Sequence, residues 1–181
     1  MLNKLFPGWG ADRKKVMSIV RHVLPLSRKI QNEILRYDDS ALERKALIAG
    51  LGSGNWPSEY EVQKRLGLSV SVVCLLLTIK FTSTSSEDLA RTSYCVTREL
   101  KKAMDPSFYA YYDSLCEWIS EKFRKDSNSE YPFSELVGGW VIYKTLNRQV
   151  NNADTPLALL IGISISTECE DLKTTIMEES R

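Results

Sequence analysis

The stretch EVQKRLGLSVSVVCLLLTIKF, residues 61–81, constrains the fold more than any other part of this chain. Its run from Val70 to Ile79 is rich in large apolar side chains, which leave water wherever the chain allows it. The run has ten residues, about half of the roughly 20 that a membrane-spanning helix needs. Burial inside a core is therefore expected rather than passage through a bilayer.

Two local forms compete for this stretch. Its first half has the rhythm of a helix-turn-helix, with a turn at Gly67 and with Leu66, Leu68, Val73 and Leu76 packing two helices together. On that reading residues 58–80 form a DNA-binding regulator in which Gln63, Lys64, Arg65 and Lys80 meet duplex DNA and Val70 and Val72 stay exposed. Two features weigh against it. Gln63 stands at the close helix–helix contact, where alanine is usual in such motifs. The second helix offers no basic or amide side chain before Lys80, whereas base edges are read by Arg, Lys, Asn or Gln near its start. The alternation of Ser69 and Ser71 with Val70 and Val72, continued in LTIKFTSTS, predicts a strand near 72–82 instead.

The remaining chain reads mostly as helix. Val16, Ile19, Val20 and Val23 form a helical stripe over Asp12–Leu24, which Pro25 is expected to end, and Ile30 and Ile34 mark a second helix over Ser27–Tyr37. Ser40 and Glu43 form a capping-box pattern for a helix closing at Gly50. The alternating glycines of GLGSGN (50–55) follow this helix, so they read as its C-cap and a turn, not as a dinucleotide loop, which needs a strand before it. Ser85 with Asp88 caps another helix, whose stripe is Leu89, Ser93, Val96 and Leu100. Asp105-Pro106 opens a helix over 107–124 that buries Phe108, Tyr112, Leu115, Ile119 and Phe123. Residues 135–146 and 157–168 are short apolar runs open to either form, and Ile163, Ile165 and Thr167 favour a strand in the second. The expected class is α+β: a predominantly helical single domain with a small antiparallel sheet. It divides into an apolar and basic N-terminal arm (1–11), a globular domain (12–170) and an acidic tail (171–181).

Chemistry-bearing residues are few. His22 is the lone imidazole, and Cys74, Cys95, Cys116 and Cys169 form no C-x-x-C pair, so no metal site and no cofactor are expected. The N-terminus has no apolar run of signal-peptide length, which predicts reduced thiols and a cytoplasmic protein. Asp38-Asp39 and Glu168/Glu170/Asp171 read as helix-end and solvated carboxylates, and no enzyme is expected. Tyr109 and Tyr111 are the only aromatics of FYAYYDSLCEW left for stacking on bases, and their acidic surroundings favour packing.

Charge is divided along the chain. Residues 1–36 hold eight basic groups against two acidic ones, while the other 145 hold 16 against 21. Such a front suits an anionic surface or the acidic end of another copy. Leu2, Leu5, Phe6 and Trp9 stand beside Arg13, Lys14 and Lys15, combining shallow insertion with attraction to anionic headgroups. Each basic residue near such a leaflet contributes about 1 kcal/mol.

Three places carry a family resemblance. AGLGSGN (49–55) looks like a first helix running into a glycine-serine loop. LTIKFTSTSSEDL (77–89) is similar to a sheet strand followed by an acidic turn and helix, and GGWVIY (138–143) to a late strand with a tryptophan. Together, over residues 38–146, they resemble the matrix proteins of rhabdoviruses, small α+β proteins lying between the viral envelope and the nucleocapsid, and the length and basic front suit the smaller plant-infecting members. The chain departs from that pattern in having neither PPxY nor PxAP, in an N-terminus that reads as helical, and in residues 150–181, which have no counterpart. The resemblance implies a virion assembly protein at the inner membrane face, with RNA-binding and self-association. The expectation is thus a non-enzymatic structural protein that forms a homo-oligomer and meets an anionic membrane or a nucleocapsid through its basic front.

Overall fold

The 61–81 stretch lies inside one unbroken helix. The structure, a computed structural model, describes residues 9–36, 59–100, 106–125 and 133–180. Those residues form α1 (Trp9–Arg36), α2 (Glu59–Thr82), α3 (Ser86–Leu100), α4 (Pro106–Lys125), α5 (Phe133–Leu146) and α6 (Thr155–Glu179), with a 3-10 turn at Asn152–Asp154. No strand occurs among the described residues, so the expected α+β class with its small sheet is overturned.

Helix α2 packs against all five other helices. Val70, Val72, Val73, Cys74, Leu75, Leu77 and Ile79 are all buried, which puts burial on every side of it. That environment overrides the strand preference of its β-branched residues, because a helix satisfies its backbone internally wherever it is packed. Its hydroxyls are absorbed in the same way. Ser69 Oγ donates to the Arg65 carbonyl (2.8 Å), Ser71 Oγ to Gly67 (2.7 Å) and Thr82 Oγ1 to Thr78 (2.7 Å). The helix also extends well beyond the ten-residue run. By length and composition Glu61–Thr82 is the one helix among the described residues long and apolar enough to cross a membrane, and most of it is buried within the fold.

The helix-turn-helix loses its turn. Gly67 lies in mid-helix, and its missing side chain admits Gln31 of α1: a Cβ there would meet the Gln31 amide oxygen at 2.9 Å. Gln31 Nε2 donates to the Gln63 carbonyl at 3.0 Å, which joins α1 to α2 at this point. Val70 and Val72, which DNA reading required to be exposed, are fully buried.

Helix α1 runs through Pro25. The proline sits on the exposed side, where water can meet a carbonyl deprived of its amide partner, and the two expected helices become one. Val16, Ile19 and Val23 of the predicted stripe and Ile30 beyond it face the core, Val20 is half-buried, and of Ile34 only the backbone is described.

Among the described helices, α5 and α6 share the most extensive contact. Two glycines allow it. A Cβ on Gly138 would lie 1.8 Å from the Ala158 carbonyl oxygen, and one on Gly162 would lie 1.8 Å from that of Ser134. The runs 135–146 and 157–168 are therefore both helical. In α6 the core takes Ala158, Ile161, Ile165, Cys169 and Ile176, while Ile163 points out. Between the helices, Asn147 takes a left-handed backbone (φ 52°), which asparagine tolerates. Arg148 then grips Asp154 through two 2.7 Å hydrogen bonds. Helix α6 runs on to Glu179, so residues 171–179 of the expected acidic tail are helical.

The strands implied by the family resemblance are helical as well. Residues 77–82 close α2 and 138–143 lie within α5. The predicted cap at Ser85 is present: its hydroxyl accepts from the Asp88 amide at 3.1 Å. The AGLGSGN segment, the Ser40–Glu43 cap, Asp38-Asp39, Asp105, and Leu2, Leu5 and Phe6 lie outside the described residues; of Trp9 and Phe123 only the backbone is described.

Candidate functional site

Helix α1 buries its apolar stripe, and this turns Arg13, Lys14, Met17, Arg21, Arg28 and Lys29 to solvent. From Arg13 to Arg28 this basic face extends about 22 Å along the helix axis. Two of the three cations expected beside the arm, Arg13 and Lys14, belong to it.

Lys15 does not. Only 8% of it is exposed, and its Nζ lies 3.1 and 3.0 Å from the two oxygens of Asp88 on α3. The same carboxylate accepts from the Thr84 amide (2.8 Å) and the Thr92 hydroxyl (3.1 Å). Burial pushes the Asp88 carboxyl up. The Thr84 amide, the Lys15 ammonium and the Thr92 hydroxyl outweigh that and hold it below the ordinary range. The Lys15 charge thus joins α1 to α3 and does not lie on the exposed basic face.

The C-terminal end of α6 lies beside the basic face. Glu179 accepts from Ser18 Oγ at 2.6 Å, pairs with His22 Nε2 at 3.0 Å, and stands 3.8 Å from Arg21. The Ser18 hydrogen bond first, then His22, lowers its carboxyl from the usual value. Further along, Lys29 meets Glu168 at 2.8 Å. The acidic end expected to serve another copy therefore meets the basic front of its own chain. Ser18, His22 and Glu179 do not form a nucleophile triad, because the carboxylate, rather than the imidazole, contacts the hydroxyl. Arg13, Lys14, Met17, Ser18, Arg21 and Glu179 line an open groove of about 460 Å³.

The other expected sites are not assembled. Of the DNA-reading set, Arg65 pairs with Glu61 on its own helix at 3.4 Å, and Lys80 covers the Phe133 ring at 3.8 Å. Lys64 and Lys80 are separated by about 24 Å of helix. Tyr111 is not open for stacking: Trp140 meets it edge-on at 6.0 Å, and Lys144 lies 5.5 Å from its ring. Tyr109 packs edge-on against Phe108. Among the described residues no three His, Cys, Asp or Glu side chains converge as metal ligands, and all four cysteines are free.

No family model, curated protein or solved structure matches the chain. The groove therefore rests on its own geometry. Sequence reasoning found Arg13 and Lys14 through their neighbours, but not Ser18, Arg21, His22 or Glu179. The four-residue spacing of Ser18 and His22 puts them on one helix face, yet nothing in the sequence says that a glutamate 157 residues away from His22 meets both.

Proposed function

We propose that this protein is a non-enzymatic helical adaptor or assembly protein that meets an anionic membrane surface through the exposed basic face of α1 and the apolar arm before it. The observation carrying this reading is the placement of Arg13, Lys14, Met17, Arg21 and Arg28 on solvent while the stripe beneath them is buried. Four arginines and lysines near an anionic leaflet contribute about 4 kcal/mol. Leu2, Leu5, Phe6 and Trp9 supply the apolar part that makes such binding useful. Neither the family resemblance nor self-association is needed for it, since the charge complement that favoured a second copy is met within one chain.

Flotation of the full chain with phosphatidylcholine vesicles, with and without phosphatidylserine, tests the proposal. Binding is expected only to the anionic vesicles and is lost at high salt. Arg13→Glu with Lys14→Glu abolishes it while leaving the fold intact, because both side chains are exposed. Lys15→Glu is the wrong probe, as it would set two carboxylates together and damage the fold. Unchanged flotation of the Arg13/Lys14 double variant would overturn the reading.

A further inference from the structure

We infer that the groove between α1 and the end of α6 is a site for a phosphate group, with Glu179 as the chain's own carboxylate resting at its edge. The inference deepens the surface-binding reading and rests on it for the lipid source of the phosphate. Arg13, Lys14 and Arg21 line the groove beside the Glu179 carboxylate, so cations predominate in its lining, which suits a phosphate group. Its volume of about 460 Å³ accommodates a phosphorylated headgroup. Its donors already hold an oxyanion. The Ser18 hydroxyl at 2.6 Å and His22 at 3.0 Å hydrogen-bond Glu179 from successive turns of α1, and Arg21 stands at ion-pair distance, 3.8 Å. Ser18 is otherwise buried, so its hydroxyl is a fixed donor on the groove floor. Met17, 45% exposed, supplies an apolar wall next to the cations, as a headgroup site at a lipid surface requires. Glu179 repels a second anion, so its removal strengthens phosphate binding.

The glutamate beside it gives the control. Glu178 is exposed and does not line the groove, so Glu178→Gln changes net charge equally without touching the site. Calorimetric titration of the full chain with pyrophosphate is expected to show about tenfold tighter binding for Glu179→Gln, a change within about twofold for Glu178→Gln, and at least about a tenfold loss for Arg21→Gln. Arg21 is 70% exposed in its side chain, so that loss does not arise from unfolding. Flotation then separates the sources. Preference for phosphatidic acid over phosphatidylserine at matched surface charge, erased by pyrophosphate, supports a lipid phosphomonoester. Equal binding to both lipids, with pyrophosphate still bound in the groove, supports a soluble phosphate. Pyrophosphate that does not bind, or that responds equally to Glu178→Gln and Glu179→Gln, overturns the site, while retained phosphatidylserine binding keeps the broader reading. Pyrophosphate binding without flotation on any anionic vesicle overturns the membrane reading and leaves the groove.

Discussion

At the scale of single residues, Lys14 and Lys15 show how little sequence adjacency says about role. The helix turns consecutive side chains by about 100°, so one lysine faces water and the next reaches Asp88. Removing Lys15 leaves a carboxylate that is 22% exposed and still bound by Thr84 and Thr92. Lys15→Met is therefore expected to cost about 2 kcal/mol in urea unfolding, within the range for a hydrogen bond to a charged group, whereas Lys14→Ala, at an exposed side chain, is expected to cost less. The pair also has an acid signature. Asp88 and Asp154 both have carboxyls held below the ordinary value: Asp88 despite its burial, and Asp154 chiefly through the Arg148 hydrogen bond. A depressed folded-state value gives stability that is complete above the unfolded value, about 3.9 for aspartate. It is lost as pH falls through the lower folded one. Urea midpoints should hold from neutral pH down to about 5 and fall below about 4. Asp88→Asn should shrink that fall; a fall of the same size in the variant refutes the assignment.

At the scale of elements, the helices carrying a clear apolar stripe were legible, and the all-round buried ones were not. The stripes of α1, α3 and α4 alternate with polar faces, so the 3.6-residue period shows. Between Val70 and Ile79 helix α2 is buried on nearly all sides, which erases the period and leaves β-branched composition as the only local signal; that signal points to a strand. Helix α6 misleads through Ile163 and Ile165, which stand two apart on opposite sides of a helix rather than on one face of a strand. The glycines of α5 hold information that only the packing reveals. Gly138 and Gly139 are neighbours, but a Cβ on the first strikes the Ala158 carbonyl at 1.8 Å and one on the second meets nothing within 4 Å. Gly138→Ala and Gly162→Ala are expected to cost about 3 kcal/mol each by forcing α5 and α6 apart. Gly139→Ala is expected to stabilise by about 0.5 to 1 kcal/mol through helix propensity. Thermal denaturation of the three variants checks this, and equal effects at 138 and 139 would contradict the close approach.

At the scale of the whole molecule, the separation of basic front from acidic end was legible as charge, but its partner was not. Sequence gives the sign of each segment. Which segment meets which depends on α1 and α6 lying side by side on α2, a consequence of packing around that buried helix. The same cations on α1 thus stand between two acceptors, the glutamates of α6 and any anionic surface outside. These ion pairs contribute little to folding. Lys29 is 54% exposed and Arg21 70%, and pairs so exposed contribute little and weaken with salt. Stability comes instead from the apolar contacts of α2, which salt does not screen. Folding and surface binding should therefore separate in one salt series. Raising salt from about 0.05 to 0.5 M shortens the Debye length from about 14 to 4 Å. The melting temperature is expected to move by less than about 3 °C, since 1 kcal/mol shifts a domain of this size by about 2 to 4 °C. Anionic vesicle binding is expected to vanish over the same range. If the melting temperature instead falls steeply in step with binding, the α1–α6 charges hold the fold together, and the basic face is committed to the chain itself.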